Sequence, residues 1–232
     1  MTILFAVESE GWPDGLEPVA GAAVFEALRQ SGAKVTGVAE LSIVLVDDAE
    51  QQALNKEWRG IDKPTNVLSF PQIEPFGPVA GILGDIVLAR ETLEREALAD
   101  QAVFEALAQS GAKVTGVAEL SILLVDDAEQ QRLNQEWRGI DKPTNVLSFP
   151  QVEPFGPVAG LLGDIVLARE TLEREAAELE TPFAHHFTHL VVHGFLHILG
   201  YDHLEDAEAA EMEGLETRIL ATLGVPDPYQ EG

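Results

Sequence analysis

Cysteine is absent from all 232 residues, which excludes a disulfide framework and thiolate metal ligands and suits a reducing compartment. Long apolar runs are absent as well: none approaches the roughly 20 residues needed to cross a bilayer. Residues 1–10 lack the basic start and extended apolar core of a secretion signal. The expectation is a soluble, cytoplasmic protein with no membrane partner. Basic residues are scarce. Fourteen Lys and Arg stand against 40 Asp and Glu, a net charge of −26. That balance excludes a protein that coats nucleic acid through a general basic surface, so any such substrate must be gripped locally, by a few arginines and a metal.

What remains is a globular mixture, 46% hydrophobic and 23% charged, enough for one large domain or two small ones. The apolar run Ile3–Val7 reads as a strand, and a helix is expected over Val19–Gln30, stopped by Ser31-Gly32. The β-branched run Leu41–Val46 reads as a buried strand, followed by a helix for which Asp47 or Asp48 is the cap. Pro64 separates that helix from a strand over Asn66–Phe70, closed by Pro71, and after a Pro/Gly loop Gly84–Ala89 forms another strand. The chain then repeats itself: Ala23–Ala97 recurs as Ala102–Ala176, with substitutions such as Arg29/Ala108, Val44/Leu123 and Ala53/Arg132. A period this long, repeated so faithfully, is a segment duplication rather than a solenoid. The join, from Arg90 to Ser110-Gly111, contains no glycine or proline before its end and reads as one fused helix. Thr181-Pro182 caps the next helix, Asp206 starts the last, and Asp227–Gly232 reads as a frayed tail.

The unrepeated helix carries His193, His197 and, beyond Gly200, His203. Two histidines four apart share one helix face, and a glycine able to adopt a left-handed conformation turns the chain so that a third can join them. Three imidazoles with a fourth position open describe a catalytic zinc site. The same spacing serves metzincin proteases, but those place a glutamate base directly after the first histidine, where this chain has Gly194. The chemistry therefore falls to water activated by the metal itself. Asp202 either orients a ligand imidazole or serves the turn. His189 and His185 precede His193 on the same face, His186 points elsewhere, and His189 suits substrate or supporting contact better than a fourth ligand.

His193-Gly194-x-Leu196-His197-x-x-Gly200-Tyr201-Asp202-His203 resembles the signature of the YbeY family of metal-dependent endoribonucleases. Asn55-x-x-Trp58-Arg59 with Pro64–Pro71, its copy Asn134–Pro150, and Leu83–Ile86 with Leu162–Ile165 resemble the family's arginine helix and strands. The resemblance implies an α/β fold in which helices pack on a mixed sheet, the sheet being open to extension by the duplicated segment. It implies a single-strand-specific RNase that matures ribosomal RNA, notably the 3′ end of small-subunit rRNA, and acts in ribosome quality control with the ribosome or small-subunit assembly proteins as partners. It implies one zinc per chain on His193, His197 and His203, and an active-site arginine at Arg59 or Arg138. A guanidinium near the metal can hold the scissile phosphate; the plain alternative is a surface arginine paired with Glu57 or Glu136.

Two arginine modules and one histidine helix leave the assignment of the copies to be argued. Residues 102–232 are expected to form the catalytic unit with Arg138, because the second copy runs directly into the histidine helix. Residues 1–101 then form a metal-free half-domain. The alternatives are that the first copy completes the site with Arg59, or that strands or modules exchange between chains. The competing functions are a metallohydrolase of another substrate such as peptides, and an inactive zinc-binding assembly factor.

Overall fold

The computed structural model describes residues 2–74 and 78–230. Two units emerge, Met1–Glu96 and Ala97–Gly232. The first contains β1 (Thr2–Val7), α1 (Leu16–Ser31), β2 (Val35–Val46), α2 (Asp48–Arg59), β3 (Val67–Pro71) and β4 (Val79–Ala89). The fused helix α3 (Arg90–Ser110) is continuous, as its lack of breakers implies, and the unit boundary falls within it. The second unit continues with β5 (Val114–Val125), α4 (Asp127–Arg138), β6 (Val146–Pro150), β7 (Val158–Ala168), α5 (Arg169–Glu178), α6 (Phe183–Leu199) and α7 (Asp206–Thr222).

The architecture is mixed α/β, but the sheet is not extended by the duplicated segment. Each copy builds its own: β1-β2-β4-β3 in the first unit and β5-β7-β6 in the second. In both, the long strands run parallel and the short one pairs antiparallel. β2 and β4 start earlier than their apolar runs, because backbone ladder bonds continue through the polar, glycine-containing stretches before them. The ladder slips between Val35 and Ala39 and again between Glu40/Leu41 and Ile82/Gly84, where Gly84 holds φ 135° and an added Cβ would lie 2.2 Å from the Phe70 carbonyl oxygen. Gly163 repeats this at φ 141° against Phe149. Only glycine fits such a bulge.

The tandem aspartates divide two tasks. Asp47 caps α2 by accepting from the Glu50 N–H (2.8 Å), whereas Asp48 accepts from the Thr92 N–H and hydroxyl and pairs with Arg95 at the start of α3. Asp126 and Asp127 do the same in the second unit, toward Glu129 and Thr171. At α6 the cap is Pro182 itself rather than Thr181: the His185 and His186 N–H groups reach its carbonyl, and no side chain caps the end.

The two units differ most in their cores. In the second, α6 buries Phe187, Leu190, Val191, Phe195, Leu196 and Ile198 against Ile165 and Leu167 of the sheet and Met212, Leu215 and Ile219 of α7. Among its described residues the first unit has the small cluster Val46, Leu68 and Val87, and α1 contributes no buried residue. The reason lies in the sequence: the histidine helix and α7 were not duplicated, so the first unit has no counterpart of either. The reverse holds at the strand edge. β1 covers β2, while among the described residues β5 has no partner on that side. Ile43, Leu45 and Val46 are accordingly buried, and their copies Ile122, Leu124 and Val125 only half-buried.

Candidate metal centre

α6 is held against its sheet through a glycine. Val146 and Ser148 of β6 and Ile165 of β7 approach Gly194 so closely that a Cβ there would lie 2.9 Å from Ile165 Cγ2 and 3.0 Å from Ser148 Oγ. The Ser148 hydroxyl donates to the Gly194 carbonyl (3.0 Å). The position a metzincin gives to its glutamate base thus faces the sheet and has no room for any side chain.

The histidine face points the other way. Gly200 ends α6 at φ 106°, with its N–H on the His197 carbonyl (3.1 Å) and the Tyr201 N–H on Leu196 (3.1 Å). The chain turns at once and brings the exposed His203 back, its ring centroid 5.4 Å from His193 and 5.1 Å from His197. The three histidines offer ligand atoms within 4.8 Å of one another. Gly200 also abuts Pro154 (2.7 Å from an added Cβ), and the Phe155 N–H donates to the Leu199 carbonyl (2.8 Å), so a loop of the second copy braces the turn.

Hydrogen bonding settles the tautomers. Carboxylates and carbonyls only accept, so His193 Nδ1 donates to Glu216 Oε1 (2.8 Å) and His197 Nδ1 donates to the Tyr201 carbonyl (3.0 Å). In neutral rings both Nε2 atoms then carry lone pairs, yet they lie 3.1 Å apart. Two facing lone pairs repel unless a cation lies between them, and two metal–nitrogen bonds of about 2.0–2.1 Å at a tetrahedral angle place their nitrogens roughly 3.3 Å apart. The donor set fits a divalent metal. Burial, then the imidazoles of His193 and His203, push His197 below the ordinary imidazole range and keep it in the neutral form that ligation needs.

Glu216 was not apparent as a site residue. It lies on α7 beside the buried Leu215, and its side chain is fully buried. Burial alone would raise its pKa. The imidazoles of His189 and His193 and the Tyr229 hydroxyl outweigh that and hold the carboxyl down at about 2. The available signal was a glutamate next to the apolar stripe Met212, Leu215, Ile219. Tyr229 corrects the expectation of a frayed tail: its hydroxyl donates to Glu216 Oε2, and Asp227 Oδ1 accepts from Thr217 Oγ1 (3.1 Å) and the Tyr229 N–H (3.0 Å). Residues 231–232 of that tail lie outside the described residues. Asp202 serves the turn, accepting from the His203 N–H (2.8 Å), and the imidazole-orienting contacts come from Glu216 and the Tyr201 carbonyl. His186 meets Glu175 (2.9 Å), His189 lies beside Glu216 at 3.6 Å, and His185 is half-buried.

Arg138 ends α4, and Arg59 ends α2; both are exposed, and among the described residues neither forms an ion pair. Glu136, the partner a plain surface arginine would take, is engaged by Arg132 (2.6 Å). Trp137 of α4 packs edge-on to Phe149 (5.7 Å), whereas Val146 and Ser148 of the same strand meet α6. Alternation along β6 therefore puts α4 and α6 on opposite faces of the sheet, with β6 as the edge strand between them.

A family model described as Endoribonuclease YbeY matches residues 20–108 and again 99–224. A protein of Bradyrhizobium sp. described as Endoribonuclease YbeY is 50% identical over 155 residues, covering 63% of this chain and 92% of that protein. One from Methylocella silvestris with the same description is 55% identical over 134 residues, 58% and 76% of the two chains. The solution structure of TM1509 from Thermotoga maritima covers 62% of this chain and 95% of that one at 26% identity and a TM-score of 0.41.

Proposed function

The chain belongs to the YbeY endoribonuclease family, and from that premise we propose that it is a zinc-dependent, single-strand-specific endoribonuclease that processes ribosomal RNA. The observation that carries the metal reading is the pair of Nε2 atoms 3.1 Å apart, each with its proton held on the opposite ring nitrogen. His193, His197 and His203 are the proposed ligands, one zinc per chain. When bound, the ion supplies Lewis-acid chemistry that activates water near neutral pH.

The protein's own contributions follow from its side chains. Gly194 presents no carboxylate, so no general base of the protease kind stands beside the histidines, which favours phosphodiester over peptide cleavage. The exposed guanidinium of Arg138 is free to take the scissile phosphate through its paired N–H donors and to stabilise the charge that grows on it. It is proposed over Arg59 because only the second family match contains the histidine helix, and because residues 102–232 carry Arg138 and all three histidines on one unbroken local stretch. An RNA strand would then cross the β6 edge to meet both. With a net charge of −26, the enzyme must rely on such local grips, and the ribosome or its small-subunit assembly proteins are the proposed means of presenting the RNA, at the 3′ end of small-subunit rRNA and in ribosome quality control.

A cleavage assay on single-stranded RNA tests the whole. Activity should be lost on chelation and restored by zinc, and Arg138→Ala should lower it by about 10²–10³-fold. Equal loss from Arg59→Ala alone would reassign the site to the first copy, and peptide hydrolysis with intact RNA would overturn the reading.

A further inference from the structure

A buried carboxylate that is not among the proposed ligands stands at the centre of this site's surroundings. Glu216 divides its two oxygens: Oε1 accepts from His193 Nδ1 (2.8 Å), and Oε2 accepts from the Tyr229 hydroxyl. His189 Nε2 lies 3.6 Å from Oε2, too far for a hydrogen bond, and the His189 ring lies edge-on to both Tyr229 (5.9 Å) and His193 (6.2 Å). The tail that delivers Tyr229 is fixed by Asp227, which ties Thr217 of α7 to the Tyr229 backbone.

We propose that Tyr229 and Glu216 form a positioning pair that makes the segment after α7 part of the metal centre. Glu216 locks His193 in the tautomer that leaves the Nε2 lone pair free to hold a metal and raises that nitrogen's basicity. Tyr229 holds the carboxylate in the orientation that reaches His193. Removing the hydroxyl leaves a buried oxygen without a donor, and the carboxylate then has a reason to turn away from the histidine. The tail thereby acts on metal affinity without touching the metal. This inference rests on the metal reading above.

Its test is zinc affinity of the full chain, measured by competition with a chromogenic chelator for wild type, Tyr229→Phe, Glu216→Gln and the double variant. Far-UV circular dichroism and the thermal transition of the metal-free proteins serve as folding controls. Glu216→Gln should weaken zinc about 10–100-fold, in the range for partners of ligand histidines. Tyr229→Phe should weaken it several-fold, and the double variant should be no weaker than Glu216→Gln alone, since Tyr229 acts through the carboxylate. Because Tyr229 is exposed and lies outside the core cluster, Tyr229→Phe carries the test even if Glu216→Gln fails to fold. Unchanged zinc affinity in Tyr229→Phe, or losses that multiply in the double variant, would overturn the proposal while leaving the metal site standing. A wild-type chain that binds no zinc would overturn the metal reading itself, and this inference with it.

Discussion

Gly194 carries two arguments at once. In the sequence it reads as a missing base; in the structure it is the contact that lets α6 approach the sheet. The wall it meets cannot retreat, since Ile165 is fully buried. Gly194→Ala should therefore destabilise the second unit by about 1–3 kcal/mol in urea unfolding, despite alanine's better helix propensity. A gain in stability would show that the helix can shift away. Gly194→Glu should yield no peptidase, because its side chain would point into Ile165 and Ser148 rather than toward the histidines. The three histidines and the turn glycine were legible from spacing alone. Glu216 was not, because a single glutamate on an acidic helix looks like a solvated one until its neighbours are known.

At the scale of elements, the duplication provides an internal control. β2 and β5 have nearly the same sequence, but β2 is paired along one edge by β1, and β5 ends its sheet among the described residues. Val117 and Leu123 of β5 are exposed at 85% and 48%, and β5 presents its ladder groups along an apolar edge. Such an edge is a template for pairing with another chain. The expected outcome is concentration-dependent self-association, seen by light scattering and reduced by Leu123→Lys, with stability changed by no more than about 0.5 kcal/mol. At the matching Val44, which packs on Val46, Leu68 and Val87, the same substitution should cost markedly more. Association that ignores Leu123→Lys would remove the open edge as its cause.

At the scale of the molecule, the charge of −26 sets the sign of the salt response. Ordinary basic nucleic-acid binders lose affinity as salt rises, through counterion release. Here long-range repulsion opposes encounter, and raising salt shortens the Debye length from about 30 Å at ~0.01 M to about 8 Å at ~0.15 M. Cleavage of short single-stranded RNA should thus speed up over that interval. A monotonic fall would reveal a basic patch that governs binding despite the overall charge. No helix among the described residues is long and apolar enough to cross a membrane.

The sequence by itself determined the elements, the duplication and the histidine cluster, because these depend on local spacing: a helical period, a breaker or its absence, a glycine at a turn. It also implied the family, since the family's motifs are local strings. Only the tertiary structure decided that the copies build separate sheets, that α4 and α6 lie on opposite faces of β6, and that Glu216 and Tyr229 surround His193. Each of these depends on which distant segments are brought into contact, and burial and hydrogen-bond partners exist only once that contact is made. His193 shows the division plainly. Its place on α6 follows from residues one turn away, whereas its tautomer is set by a glutamate 23 positions later in the chain.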